Sequence, residues 1–172
     1  MATHASRDTT TGLLFEQRIK GKAPGIPLHK KELGKYVKEH TNKYYSLSSI
    51  RANASQGIPR EPDKKAIMFE GQYILTKALE PDEAYLDIET STLTIFEKKH
   101  QSCGGSADEK LQTCGFKLQQ YKKIAAELGI NNVYYIYILD SYFNTPYYQD
   151  CLNYIRSIPN CDYYFADINE GE

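Results

Sequence analysis

The sequence predicts a mixed α/β fold in which a mixed central β-sheet is flanked by helices. Residues 93–96 and 133–139 are short apolar runs rich in β-prone side chains, as in strands buried in a sheet. Between these runs, apolar residues recur at intervals of three and four from Leu111 to Leu128, which is the period of an amphipathic helix. A second helix and a last strand follow, so the predicted order from residue 82 onwards is β-β-α-β-α-β.

The first half of the chain carries weaker structural signals. Residues 13–19 fit either a helix or a strand. Residues 29–40 predict a basic surface helix whose apolar side chains share one face. Residues 62–78 predict another helix, because Pro62 suits a first turn and apolar residues follow at roughly helical spacing. Glu70 falls inside this predicted helix.

The second half of the chain is more regular. Ser106 and Glu109 fit a capping box at the start of the amphipathic helix, and Gly129 fits its end. Residues 145–158 predict a further helix with a proline in its first turn. Residues 161–165 then form the last strand.

The length and the charge distribution of the chain limit the number of domains and the kinds of ligand that it can bind. A chain of 172 residues suits one domain with its own core. The net charge of −1 hides an uneven distribution: residues 1–66 carry 13 Lys/Arg and 6 Asp/Glu, or +7, and residues 67–172 carry 8 and 16, or −8. This pattern suits a protein that holds an anionic polymer with one region and a divalent metal with the other, although a basic surface facing solvent gives the same count.

Neither a membrane span nor a secretory signal is predicted. No run approaches the roughly 18 to 20 apolar residues that a span requires, and residues 1–12 lack an apolar stretch. We therefore expect a cytoplasmic protein with no membrane partner and with reduced thiols. Cys114 and Cys151 fall on apolar helix stripes as small core residues, and a zinc site using His100 and Cys103 is the alternative use of cysteine.

Two carboxylates and a lysine stand out at one end of a predicted hairpin. The apolar run 93–96 leads directly into charged residues, which are rarely found at the end of a core strand unless they pair or bind something. Side chains alternate along a strand, so Glu97 and Lys99 share a face. Asp82 lies on the preceding strand and is the carboxylate that can join them.

The register of this hairpin decides which aspartate joins the cluster. A two-residue loop would pair Glu89 with Thr92 and place Asp82 opposite Lys99, on the same face. A register changed by one residue would exchange the faces and favour Asp87 instead.

Two carboxylates and a lysine on one face suit divalent-metal hydrolysis of a phosphodiester. Carboxylate oxygens hold a hard cation such as Mg²⁺. The cation stabilises charge that develops on phosphate and lowers the pKa of a bound water. The lysine can orient or help deprotonate that water, or stabilise negative charge. The alternative is an exposed hairpin end with a surface ion pair that contributes little to stability.

The pattern around these residues resembles the PD-(D/E)XK nuclease superfamily. Pro81-Asp82, then fourteen residues, then Glu97-Lys98-Lys99 match its short motif. Residues 97–101 are similar to the active-site strand of type II restriction endonucleases, and residues 105–114 are similar to small members of the superfamily. The resemblance spans about residues 70–165, more than half of the chain.

The resemblance implies a restriction-endonuclease-like core and a single nuclease domain over residues 1–172. Residues 1–66 would be a basic DNA-contacting region, residues 67–166 the catalytic core and residues 167–172 an acidic tail. The implied activity is that of a type II restriction endonuclease of a restriction-modification system, which hydrolyses double-stranded DNA at a specific sequence as a homodimer. The alternatives are a structure-specific or repair nuclease of the same fold and a non-catalytic DNA-binding module.

The resemblance also assigns residues to the site. Asp82 and Glu97 would bind Mg²⁺, which Mn²⁺ can replace, and Glu70 would be a further metal ligand. Lys99 would be the catalytic lysine. Lys117 stands where many members of the superfamily have the Gln of a Gln-x3-Tyr pattern, so this part of the pattern is not matched.

Side chains suited to DNA contacts lie in the basic helix, in the polar segment 42–61 and in the residues after the motif. Arg, Lys, Asn, Gln and Ser side chains contact base edges or phosphates. A solvated polar surface is the alternative interpretation. The candidate DNA contacts are Lys35, Arg51, Asn53, Ser55, Gln56, Arg60, His100, Gln101, Lys110 and Gln112.

Overall fold

Five strands form the central sheet in the computed structural model of the chain, which describes residues 12–41, 67–69, 72–75, 79–102 and 107–168. The strands are β1 (Ile26–Pro27), β4 (Glu83–Asp87), β5 (Thr92–Lys99), β6 (Asn132–Leu139) and β7 (Cys161–Phe165), and β2 and β3 form a separate pair that is described below. The spatial order in the sheet is β1-β4-β5-β6-β7. β4 is antiparallel to β1 and β5, whereas β5, β6 and β7 run parallel, so the prediction of a mixed sheet is confirmed.

Helices flank this sheet, and the predicted β-β-α-β-α-β order is confirmed with one helix divided in two. Residues 12–18 form α1. The other helices are α2 (Lys31–Thr41), α3 (Ala107–Leu111), α4 (Cys114–Glu127) and α5 (Gln149–Ser157), with 3-10 turns at Ser141–Phe143 and Pro146–Tyr148. None of the helices in the described ranges is long and apolar enough to cross a bilayer.

The single amphipathic helix predicted after the hairpin is interrupted between α3 and α4. The carbonyl of Lys110 accepts hydrogen bonds from the Thr113 hydroxyl at 2.7 Å and from the Tyr137 hydroxyl at 2.9 Å. These side chains compete for an oxygen that a continuous helix would use in its own ladder. The predicted end of the helix is confirmed, because Gly129 adopts a φ of 70°, which suits glycine after a helix terminus.

The helix predicted over residues 62–78 is wrong. An antiparallel strand pair, β2 (Ile67–Phe69) and β3 (Gln72–Leu75), occupies this part of the chain. The segment is rich in β-prone residues, and Gly71 costs a helix about 1 kcal/mol relative to alanine. Glu70 lies outside the described residues.

Both faces of the sheet are covered, by different elements. On one face, the rows that contain Ala84, Leu86, Leu93 and Ile95 join the core formed with α2, α4 and α5. On the other face, Phe96 and Ile138 pack with Phe15 of α1. We call these the α4 face and the α1 face. Because side chains alternate along a strand, neighbouring charged residues at the hairpin end must point to different faces.

Candidate active site

The hairpin that carries the candidate site has a four-residue loop, so the predicted two-residue loop is wrong. Asp87 pairs with Thr92, and residues 88–91 make the turn. The Asp87 carboxylate accepts hydrogen bonds from the backbone N–H groups of Glu89 (3.0 Å) and Thr90 (3.4 Å) and from the Thr90 hydroxyl (2.7 Å). An aspartate that bonds the backbone two residues on is a turn former, and this preference sets the loop.

The observed register differs from the predicted one by two residues, which leaves the faces unchanged. Glu83 pairs with Phe96 at the last position of the ladder, so the same register extended by one residue places Asp82, which directly precedes β4, opposite Glu97 rather than opposite Lys99. Asp82, Glu97 and Lys99 continue the rows of Ala84 and Ile95 and therefore lie on the α4 face. Asp87 lies at the other end of the hairpin. The structure thus brings Asp82, not Asp87, to the predicted cluster.

Each carboxylate of this cluster has one oxygen engaged. Asp82 Oδ2 accepts a hydrogen bond from the backbone N–H of Lys98 at 2.8 Å, and Glu97 Oε2 accepts one from the Lys99 ammonium at 3.2 Å. Within the described residues, no hydrogen bond engages Asp82 Oδ1 or Glu97 Oε1. Glu97 is only 6% exposed.

Burial and neighbouring charges raise the pKa of Glu97. The largest cause is burial, which penalises the charged form; the Lys99 ammonium opposes the shift, the Asp82 carboxylate adds to it and the Lys117 ammonium opposes it. Lys117 of α4 therefore belongs to the electrostatic surroundings of Glu97, although the motif pattern did not match at this position. Burial also raises the pKa of Tyr121, one turn further along α4, and the charges of Glu97 and Asp82 add to that shift.

The residues present fit a hydrated Mg²⁺ better than a cation enclosed by protein ligands. Among the described residues, no group of three or more His, Cys, Asp or Glu side chains is arranged to hold a metal ion. Mg²⁺ characteristically keeps several waters and uses one or two carboxylates together with substrate phosphates. Asp82 and Glu97 offer two carboxylates, each with an oxygen that takes part in no described hydrogen bond. A cation there would also offset the repulsion that contributes to the raised pKa of Glu97.

The opposite face of the same strands holds a closed ionic cluster. Glu83 Oε1 forms an ion pair with the Lys98 ammonium, and Glu83 Oε2 accepts hydrogen bonds from the Gly21 N–H at 2.9 Å and the Tyr85 hydroxyl at 3.2 Å. Lys98 also donates to the Glu16 carbonyl at 2.7 Å. Glu83 and Lys98 are both almost fully buried. This cluster attaches α1 and the segment after it to the sheet.

A histidine and an aspartate meet where β5 and β6 end. His100 Nδ1 pairs with Asp140 Oδ2, which also accepts a hydrogen bond from the Gln101 N–H at 3.0 Å. Asp140 Oδ1 accepts one from the Tyr142 N–H at 3.2 Å. The imidazole stacks on Phe15, with ring centroids 5.5 Å apart. Sequence reasoning missed Asp140, although a carboxylate directly after a buried strand was a usable signal, since ligands of open α/β sheets bind at the carboxyl ends of strands.

The other predicted contacts are dispersed. Lys110 lines a cavity of about 250 Å³ together with Lys99, His100 and Gln101. Gln112 lines a different cavity, with residues of α5. Lys35 is exposed on α2 and pairs with Glu39 one turn on. The predicted contacts Arg51, Asn53, Ser55, Gln56 and Arg60, the predicted metal ligand Glu70 and the alternative zinc ligand Cys103 lie outside the described residues.

Comparisons with known proteins do not assign this site. Neither family models, curated proteins nor solved structures give a significant match to the chain. Membership of the PD-(D/E)XK superfamily stays a prediction, which depends on the motif and on the order of elements around it.

Proposed function

We propose that this chain is a Mg²⁺-dependent endonuclease, similar to type II restriction enzymes, that hydrolyses phosphodiester bonds of double-stranded DNA at a specific sequence. The observation that carries the proposal is the placement of Asp82, Glu97 and Lys99 on one face of the hairpin, at the point where its apolar rows end. Metal-ligating carboxylates next to a lysine are the groups that phosphodiester hydrolysis requires.

Each residue has a role in this proposal. Asp82 and Glu97 would hold Mg²⁺, or Mn²⁺ as a substitute, through the oxygens that the described hydrogen bonds leave available. The bound cation would lower the pKa of a water molecule and neutralise charge on the phosphate. Lys99, whose side chain is 21% exposed, keeps its ammonium 3.2 Å from Glu97 Oε2 and can orient that water or stabilise the developing charge.

Charge supports DNA as the substrate. The net charge of +7 over residues 1–66 supplies the cations that phosphate binding requires, and Lys99 and Lys117 add positive charge near Glu97. We further propose a homodimer, because a twofold axis supplies one active site for each strand of a symmetric target.

Incubation of the purified protein with plasmid and phage DNA in Mg²⁺ tests the proposal. Asp82→Asn should abolish cleavage, whereas Asp87→Asn, the same change at the other end of the same hairpin, should leave cleavage intact. Discrete fragments that disappear with EDTA would support a sequence-specific metal nuclease. A smear, or cleavage of branched DNA alone, would favour the structure-specific or repair class. Intact DNA with retained, metal-independent DNA binding would favour the non-catalytic binding module.

A further inference from the structure

The backbone ladder between β4 and β5 stops directly beside the candidate metal site. Its last pair is Glu83 with Phe96, and the same register extended by two residues would pair Pro81 with Lys98. Ala84 directs its backbone N–H and carbonyl to the segment that follows β1. Because bonding sides alternate along an antiparallel strand, Glu83 and Pro81 occupy the positions that face β5. Lys98 is therefore the residue that a longer ladder would bond to Pro81.

Two properties of Pro81 prevent this additional pair. Proline has no N–H, so it cannot donate to the Lys98 carbonyl. The Pro81 carbonyl accepts a hydrogen bond from the Lys30 N–H at 2.8 Å. The Lys98 N–H, which a longer ladder would use, donates instead to Asp82 Oδ2 at 2.8 Å.

This hydrogen bond fixes the orientation of the Asp82 carboxylate. A hydrogen bond from a backbone N–H to a carboxylate is charge-assisted and stronger than one between neutral groups. With Oδ2 bound to Lys98, Oδ1 is the oxygen that the described hydrogen bonds leave for a cation. Partners that orient metal-ligating carboxylates in this way matter for function, since their loss typically costs about 10- to 100-fold in metal affinity or activity.

We propose that Pro81 is a positioning residue for Asp82: by ending the β4–β5 ladder it reserves the Lys98 N–H for Asp82 Oδ2 and so presents Oδ1 to a divalent cation. This inference rests on the proposed function, because the cation is the ligand that the nuclease assignment requires. It gives the proline a role distinct from packing, since a residue with an N–H at this position can pair with Lys98 and take its N–H away from the carboxylate.

Two replacements of Pro81 separate the effect of the missing N–H from that of the ring. Pro81→Ala introduces an N–H, whereas Pro81→lactic acid has the same methyl side chain and an ester oxygen in place of the N–H. Mn²⁺ affinity, measured by calorimetry without DNA, should fall about tenfold or more in Pro81→Ala and stay close to that of the wild type in Pro81→lactic acid. Pro27→Ala, in β1, is the control and should bind Mn²⁺ as the wild type does. Equal Mn²⁺ affinities of the two Pro81 variants would overturn the inference.

Amide hydrogen exchange, followed by NMR in EDTA, measures the Lys98 hydrogen bond itself. In the otherwise wild-type protein, Asp82→Ala should speed exchange of the Lys98 N–H, because its acceptor is lost. In a protein that already carries Pro81→Ala, the same change should leave this N–H protected, because the ladder then holds it. Exchange at Lys98 that depends on Asp82 to the same extent in both proteins would contradict the inference.

These measurements separate failure of the inference from failure of the nuclease assignment. Metal-dependent DNA cleavage by the wild type, with equal Mn²⁺ affinities of the two Pro81 variants, would refute the positioning role and leave the nuclease standing. A wild type that neither binds Mn²⁺ nor cleaves DNA would refute the proposed function. Exchange of the Lys98 N–H would then still decide whether Pro81 orients Asp82.

Discussion

The two faces of the β4–β5 hairpin use adjacent residues for opposite purposes. On the α1 face, Glu83 and Lys98 form a buried ion pair whose carboxylate also accepts two further hydrogen bonds. On the α4 face, Asp82 and Glu97 bring two carboxylates together, with the partly exposed Lys99 as a hydrogen-bonded cation. Each residue of the first pair is a sequence neighbour of a residue of the second.

The difference between the faces is a difference in how far charge is compensated. The Glu83 carboxylate has a buried cation and two hydrogen-bond donors, so this cluster is complete without a ligand. Burial and the Asp82 carboxylate both raise the pKa of Glu97. A cation added on the α4 face would therefore stabilise the charged form of Glu97. One face holds a compensated ion pair, and the other holds two neighbouring carboxylates with Lys99 as their hydrogen-bonded cation.

The largest effect should follow from Glu97→Gln. Loss of one metal-ligating charge should lower the cleavage rate by about 10³-fold or more, since several kcal/mol of transition-state stabilisation depend on the metal. The fold should stay intact, because the amide keeps the shape and relieves burial of a charge. Steady-state cleavage of a supercoiled plasmid and thermal melting measure the two effects. Glu89→Gln, in the exposed turn, is the matched control; an active Glu97→Gln protein would contradict the proposed site.

A large loss of stability should follow from Glu83→Leu on the other face. This change leaves the Lys98 ammonium buried without its carboxylate, which costs roughly 3–5 kcal/mol in comparable cases. Denaturant unfolding measures the loss. Addition of Lys98→Met should restore much of the stability, because an apolar pair can replace a buried ion pair. If Glu83→Leu alone leaves the unfolding free energy unchanged, the α1-face cluster is not structural.

Strong local patterns predicted the sheet and helices well. Residues 133–139 and 161–165 were expected as strands, and β6 and β7 occupy these positions, because continuous apolar or aromatic runs bounded by Gly, Pro and Asn specify short strands. The basic helix also forms, with Leu33 and Val37 buried as its spacing predicted. These elements depend on residues close in sequence.

Features that depend on distant or competing contacts were not predictable. The hairpin register was missed because the Asp87 carboxylate selects a longer turn, and the face assignment survived only because the error was an even number of residues. Asp140 joins His100 across forty positions of sequence, through the parallel pairing of β5 with β6. The influence of Lys117 on Glu97 depends on the packing of α4 against the sheet, which no local spacing encodes.

A moderate effect concerns stability as a function of pH in the absence of metal. The folded pKa of Glu97 lies above its unfolded value of about 4.3. The folded state therefore binds the proton more tightly, so the stabilisation is complete below the unfolded pKa and is lost as pH rises through the folded pKa. In EDTA, the wild type should lose stability relative to Glu97→Gln as pH rises over this range. Mg²⁺ should reverse the loss; parallel pH curves for the two proteins would contradict the raised pKa.

The smallest effect should come from Lys117→Met. Removal of this ammonium takes away a charge that lowers the pKa of Glu97, so that pKa should rise further and the acidic limb of the rate–pH profile should move to higher pH. The plateau rate should change by less than about fivefold, since the attraction between a partly exposed ammonium and a nearby carboxylate contributes ~1 kcal/mol or less. Lys123→Met removes the same charge from an exposed position of α4 and should leave the limb in place. An equal shift in both variants would mean that net charge, rather than the proximity of Lys117, controls Glu97.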